Sequence, residues 1–327
     1  MTARFCRAFC PPVASEAALQ REPRRSPRHS RSGYAAVALA ATLWGTWSLF
    51  FRPAERIAPV APAVQSVVVF GVVFAVMAPL AWRDRRGTSR PRRVWLLIVG
   101  LGAVDALNVL FFFMAMQRTS LAVAVLTHYL ALPLVAIAAP LVLGERTTRS
   151  AGLAFAAALA GLVLLVEPWR AASAASLVGA AFGSASAVFF AINVLLSKLA
   201  GGFVSPRELL AWRLPSAIGV LLLFVPEGGF ALPWAVYCLL GAAASIGGVT
   251  AGWLYYWGLS RVEASRATVL SLMEPTMAVL IGLVVWREVP GPAAAVGAVL
   301  ILVALYVATR APRAASPSPP IESSGTG

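Results

Sequence analysis

Apolar runs of about twenty residues, separated by short clusters of charge, proline and glycine, dominate the pattern of this chain. The clearest run lies between Ala267 and Trp286. Its only ionisable side chain is Glu274, followed at once by Pro275. A run of that length spans a bilayer as an α-helix. A carboxylate in its middle is costly in hydrocarbon, and Pro275 has no backbone N–H to donate. Neighbouring helices, or water between them, must therefore receive Glu274. The same pattern predicts ten spans, at approximately 34–51, 60–82, 94–116, 121–143, 150–166, 176–199, 207–225, 232–258, 264–286 and 292–309. Connections are mostly short, so consecutive helices are expected to be antiparallel neighbours.

The pattern also repeats. Shifting the chain by 143 residues places Arg118 on Arg261 and Glu145 on Glu288. Pro133 then lies within one residue of Pro275, and Phe111–Phe113 lie near Tyr255, Tyr256 and Trp257. A duplicated half follows. Five spans per half is an odd number, so the halves must insert in opposite orientations. Inverted repeats of this kind mark secondary transporters, with substrate bound near the midplane where the halves meet. The expected fold class is an all-α membrane protein with ten transmembrane helices as two inverted five-helix repeats. The first repeat is placed at 33–167 and the second at 175–309. Residues 1–32, rich in Arg, Pro and Ser, and residues 310–327 are expected to be disordered tails. No apolar stretch precedes Arg21, so a signal peptide is not expected.

Composition changes this picture little. Hydrophobic residues make up 59% and charged residues 12%, against roughly a quarter charged in soluble domains. A net charge of +14 would point to nucleic acid in a soluble protein. Here the basic residues sit between apolar runs rather than along one face, so no nucleic acid is expected. Cys6, Cys10 and Cys238 lack metal-ligand spacing, and neither a metal site nor a disulfide is expected. Setting the tails aside, twelve basic residues fall in loops on the N-terminal side and five on the other. By the positive-inside rule both termini are cytoplasmic.

Leu43-Trp44-Gly45 and the stretch Gly258–Glu288 resemble the characteristic motifs of EamA-like members of the drug/metabolite transporter superfamily. The resemblance covers roughly residues 34–309. It implies two five-helix EamA repeats, a plasma-membrane location and export or exchange of small metabolites. Two departures stand out. An Arg often found in the second helix is absent, Gln65 being the polar residue nearby, and the first repeat has Ala131-Leu132-Pro133 in place of Glu-Pro.

Candidate path residues are polar or aromatic positions on helical stripes. In the third span Asp105 and Asn108 share a stripe with Leu101 and Phe112. Asp105 is either a cation contact or proton carrier, or a structural hydrogen-bond partner. His128 in the fourth span is either a proton-coupling group or a neutral histidine bonded between helices. Tyr129 points about 100° away from it. Trp44, Trp47, Ser48 and Phe51 share a stripe in the first span, as do Phe182, Ser186, Phe189, Asn193 and Ser197 in the sixth. Such walls, with Tyr255 and Tyr256, suit either a pocket for small amphipathic molecules or plain helix packing. Arg213 is either a snorkelling cation or an anchor for a substrate carboxylate. Glu145 and Glu288 each precede a helix and read as structural, placed where a carboxylate favours the helix dipole. Glu274, Asp105 and His128 are the proton-coupling candidates. For Glu274 the alternative is a Glu-Pro pair that only shapes its helix.

The expected function is secondary transport of small metabolites, amino acids or related amphipathic compounds, by alternating access with proton coupling. An intramembrane enzyme, or a membrane sensor or scaffold, is the alternative. The chain has two His, one of them in the tail, and no Gly-Lys-Ser/Thr loop, so no catalytic residues and no cofactor are expected. The expected partners are a small-molecule substrate and the lipid bilayer, with a homodimer compatible with the pattern.

Overall fold

In the computed structural model, residues 31–84, 90–119, 121–145, 149–167, 169, 177–287 and 291–310 are described. Residues 1–30 and 311–327 of the expected tails, residues 85–89 and Glu288 lie outside the described residues, whereas Arg31, Ser32 and Arg310, expected in the tails, lie on helices. All regular structure described is helical. The first apolar run forms α1 (Arg31–Trp44), a 3-10 turn (Gly45–Trp47) and α2 (Ser48–Ile57). Then follow α3 (Pro62–Asp84), α4 (Arg92–Arg118), α5 (Leu121–His128), α6 (Ala131–Leu143), α7 (Arg149–Val166) and α8 (Leu177–Ala200). The remainder is α9 (Pro206–Trp212), α10 (Leu214–Leu222), α11 (Trp234–Ala243), a π-helical stretch (Ala244–Ala251), α12 (Gly252–Leu259), α13 (Ala264–Leu270), α14 (Met273–Val284) and α15 (Pro292–Arg310).

Prolines and caps set many of the boundaries. Pro91 and Pro233 precede α4 and α11, where a missing N–H costs nothing. The start of α9 carries Pro206 at its first position and a capping box, with Ser205 and Glu208 satisfying each other's backbone N–H groups. Gly144 ends α6 in the left-handed conformation.

Seven of the resulting helical segments are long and apolar enough to cross a membrane: 31–57, 62–84, 92–115, 123–143, 177–200, 234–259 and 264–284. Two shorter apolar helices, 152–165 and 292–304, accompany them. Large apolar side chains cover the outside; Leu141 is 80% exposed and Leu177 91%. A surface of that kind is stable facing lipid and not facing water. The chain is a membrane protein.

The first helical segment is longer than its apolar run. It extends to Ile57, so Arg52 and Arg56, expected in a loop, lie on α2. Both guanidinium groups stack on Trp286, at 5.2 and 5.3 Å, which stabilises the polar end of the helix. The apolar runs 121–143, 207–225 and 264–286 are interrupted helices rather than continuous ones. Proline is the cause in each. Pro133, Pro215 and Pro275 lack the N–H that would bond the carbonyl four residues back.

Helices of the first and second halves pack together in matched sets. The α4–α8 contact corresponds to the contact of α12 and the π stretch with α1. The packing of α5 and α6 on α8 corresponds to that of α13 and α14 on α1. Likewise α10 lies on α4 as the π stretch and α11 lie on α3. The α7–α15 crossing joins the halves at glycines: a Cβ on Gly161 would meet the Gly297 carbonyl at 2.9 Å, and one on Gly297 the Gly161 carbonyl at 2.5 Å.

Candidate functional site

The two interrupted helices α5–α6 and α13–α14 break in the same way. Leu130 N–H bonds Thr127 O and Leu132 N–H bonds Tyr129 O; Leu272 N–H bonds Val269 O and Glu274 N–H bonds Ser271 O. The two sets of bonds are related by a shift of 142 residues, which also relates Pro133 to Pro275. Tyr129 and Ser271 therefore occupy equivalent positions, and they touch. The Tyr129 hydroxyl lies 3.3 Å from the Ser271 carbonyl and 3.1 Å from Glu274 Oε2, so its one proton is shared between them or given to one. The Ser271 carbonyl, which Pro275 leaves without its usual helical donor, thus faces both the Glu274 N–H and this hydroxyl from the other half.

Close approach of α1 completes the surroundings of Glu274. A Cβ on Gly45 would lie 2.7 Å from the Glu274 carbonyl and 2.6 Å from Met277 Cβ, so the Leu43-Trp44-Gly45 segment needs a glycine there. Trp44 donates its indole N–H to Gly247 O at 2.8 Å, in the π-helical stretch, and its ring lies 5.0 Å from that of Tyr255. Trp47 covers Gly247 and stacks on Phe51 at 4.9 Å.

His128, one residue before Tyr129, takes the opposite direction. Its Nδ1 lies 2.8 Å from Ser186 Oγ on α8. Ser186 Oγ is in turn 2.9 Å from both the carbonyl and Oδ1 of Asn108 on α4. Those two acceptors leave the hydroxyl donating to Asn108, and the His128 contact then requires an N–H on Nδ1. Phe112 and Phe190 enclose the imidazole, with ring centroids at 4.7 and 5.2 Å.

A third group lies one to two turns along the same α4–α8 seam. Asn193 donates to Asp105 Oδ1 at 2.9 Å, and Ser197 lies 3.4 Å from Asn193 Oδ1. Arg213, at the interruption between α9 and α10, pairs with Asp105 Oδ2 and lies over the Tyr256 ring at 5.0 Å. Arg213 is 8% exposed, so it does not snorkel to the surface. The interruption turns it inward, because hydrocarbon on one side and a buried carboxylate on the other leave pairing as the lower-energy choice. Gly102 permits the approach, since a Cβ there would meet the Arg213 carbonyl at 1.9 Å.

Asp105 and Asn193 are thus joined directly, whereas His128 and Glu274 belong to two separate bonded groups. A cavity of 410 Å³ opens beside the Asp105 group, between the ends of α8 and α12 and the start of α9. Ser197 and Tyr256 line it together with Lys198, Gly202, Leu209 and Ser260.

Lys198 was not anticipated from the sequence, although it is the chain's only lysine and ends an apolar run. It donates to Val262 O and lies 3.8 Å from Glu145. Glu145 has a partner that the sequence did not indicate. Its carboxylate accepts N–H groups of Ala264 and Ser265 at 2.8 and 3.5 Å, at the start of α13. The dipole argument holds, but the partner is a helix of the other half. Its counterpart Glu288 lies outside the described residues. Among the described residues no group of His, Cys, Asp and Glu could hold a metal ion.

A bundle of apolar helices with buried polar groups at its interruptions defines a polytopic membrane protein. The sequence matches the EamA-like transporter family over residues 31–167 and again over 177–310. An uncharacterized transporter of Archaeoglobus fulgidus is 30% identical over 285 residues, covering 86% of this chain and 98% of the relative. A second uncharacterized transporter of that organism is 27% identical over 284 residues, covering 84% and 97%. A solved crystal structure is similar with a TM-score of 0.73 at 25% identity, covering 86% of this chain and 99% of that one. The chain belongs to the EamA-like transporter family.

Proposed function

We propose that this protein is a secondary transporter that exports or exchanges small metabolites, amino acids or related amphipathic compounds, across the plasma membrane by alternating access. Its moving parts are two five-helix halves of opposite orientation. The seven long segments, the two shorter apolar helices and the interrupted stretch 206–222 together supply ten spans. One observation carries the reading: the two halves contain the same helix interruption, and the interruptions meet at Tyr129 and Ser271. The matched packing sets support it, because exchanging the halves reproduces the main cross-half contacts. Structurally repeated halves with broken helices at their meeting point are the arrangement by which one half rocks against the other.

Glu274 carries the coupling proton. It follows the interruption in α13–α14, its partner is a hydroxyl from the other half, and among the described residues no basic side chain pairs with it. Moving one proton down a potential supplies about 2.3 kcal/mol per 100 mV, which supports roughly 50-fold accumulation. The test is Glu274→Gln in proteoliposomes at matched protein levels. Counterflow exchange should persist while pH-driven uptake disappears. Unchanged pH-driven uptake would make Glu274 a structural residue. Both termini lie on the cytoplasmic side in this reading. In a Cys238→Ser background, cysteine at Pro59 should label from outside intact cells and cysteine at Gly202 should not; the reverse result would invert the topology.

A further inference from the structure

The broken helices α5–α6 and α13–α14 cross at Tyr129 and Ser271, and the two sides of that crossing differ. On one side α6 packs along α13. On the other, α5 and α14 share no comparable packing among the described residues. There Glu274 is half-buried, and Ala278, one turn further along α14, is exposed. The packed side is fastened at its far end. Glu145, two residues beyond α6, accepts the Ala264 N–H with Oε1 at 2.8 Å. Its Oε2 accepts the Ser265 hydroxyl at 3.2 Å and the Ser265 N–H at 3.5 Å. Lys198, at the end of α8, lies 3.8 Å from Glu145 Oε1 and donates to the Val262 carbonyl just before α13. Both residues therefore reach across one seam, with α6 and α8 on one side and α13 and α1 on the other. Arg266 ties α13 to α1 through the Tyr34 hydroxyl at 3.1 Å, so these two helices form one edge of it.

We propose that Glu145 is a cytoplasmic latch: it holds α6 against α13 while the outer side of the same seam stands apart, and its release opens the seam to the cytoplasm. This rests on the alternating-access reading above and names the contact that keeps one of its states closed. The geometry suits a movable part. Each latched segment is the cytoplasmic piece of a broken helix, joined to the rest at an interruption where the i→i−4 ladder is incomplete. From that interruption to the latch α6 extends roughly 20 Å, so a small rotation near Tyr129 is magnified at Glu145.

The chemistry of the fastening suits release as well. The side chains of Glu145 and Lys198 are 12% and 18% exposed, at helix ends where water can reach them. On opening, the carboxylate, the amine, two N–H groups and a hydroxyl each exchange a protein partner for water, and the net loss is small. Other contacts between the halves lack this property. The α7–α15 crossing is close packing at Gly161 and Gly297, which separation would lose without replacement. The Asp105–Arg213 pair could not part without stranding two buried charges.

The test uses the full-length protein with Cys6, Cys10 and Cys238 replaced by serine, one reporter cysteine at a time, and a maleimide that does not cross membranes. Ala267→Cys, at a fully buried position on α13, reports the seam in inside-out vesicles. Ala278→Cys reports the outer side in intact cells. Ala158→Cys, at a fully buried position on α7, reports general loosening in inside-out vesicles. Without further change Ala278→Cys should react and the other two should be protected. Adding Glu145→Ala should raise the labelling rate of Ala267→Cys at least tenfold, about 1.4 kcal/mol in the opening equilibrium. The same change should slow labelling of Ala278→Cys and leave Ala158→Cys protected. Lys198→Met should act in the same direction with a smaller effect. Glu145→Gln, which keeps an acceptor for one N–H, should restore part of the protection. Protection of Ala267→Cys in Glu145→Ala, an equal rise at Ala158→Cys, or an unreactive Ala278→Cys in the starting protein would overturn the proposal. The two readings fail separately. Opening at Ala267→Cys with unchanged reaction at Ala278→Cys leaves the latch and removes alternating access, because both sides would then be open at once. Protection of Ala267→Cys in every variant removes the latch and leaves alternating access.

Discussion

The α4–α8 pair and the pair formed by α1 with the π stretch and α12 occupy corresponding places in the packing, yet they are built differently. Both α4 and α8 are continuous helices. Their contact is a ladder of side chains: Asp105 with Asn193, Asn108 with Ser186, and Phe111 stacked on Phe189 at 5.5 Å. In the other pair each helical segment is interrupted, α1 by a 3-10 turn and α11–α12 by the π stretch. Here the contact runs from side chain to backbone, with Trp44 bonding the Gly247 carbonyl. The difference has a simple origin. A regular helix uses most of its carbonyls within its own ladder, so contacts between two such helices fall mainly to side chains, with the Ser186 hydroxyl, which also reaches the Asn108 carbonyl, as the exception. An irregular one leaves carbonyls outside the i→i−4 ladder, and a neighbouring donor can take them. Local rearrangement costs less where the ladder is already incomplete, so bending during transport is expected in the interrupted pair.

The comparison can be broken hardest in the continuous pair. Arg213→Ala strands the Asp105 carboxylate against α8 and should lower unfolding stability by about 3–5 kcal/mol. The double variant Asp105→Leu/Arg213→Met should recover most of that loss in a detergent melt. Gly45→Ala acts on the interrupted pair, pressing a methyl group against Met277 and the Glu274 carbonyl, and should cost about 1–3 kcal/mol. Trp44→Phe removes only the indole donor to Gly247 and should cost about 1 kcal/mol. Gly100→Ala sharpens the contrast from the other side. No atom stands within 4 Å of a Cβ at Gly100 on α4, so a regular helix there should gain about 0.5–1 kcal/mol. Hydrogen exchange offers a direct comparison: amides of the π stretch 244–251 should exchange at least tenfold faster than those of 101–108 on α4, and equal protection would show that the irregularity confers no local freedom.

Much of the helix layout was legible because hydrophobic run length and proline position act locally. The predicted segments around 60–82, 94–116, 150–166, 176–199 and 292–309 differ little from the helices found. The run at 34–51 was underestimated, since Arg52 and Arg56 break the apolar pattern without breaking the helix. Their stacking on Trp286, more than two hundred residues away, has no local signal. The interruptions were partly visible as Pro133 and Pro275, but a proline specifies a released carbonyl and not its new partner.

The sequence by itself determined that this chain spans a membrane, that it contains a duplicated pattern, and which few polar residues lie in apolar surroundings. Those conclusions depend on the cost of burying charge and backbone in hydrocarbon, which each segment meets separately. Only the tertiary structure decided the pairings. Asp105 is bound to Arg213 and Asn193, His128 to Ser186, Glu274 to Tyr129, and Glu145 to the start of α13. Each joins segments distant in the chain. A buried polar side chain must find a partner, but which one it finds is set by how the helices cross.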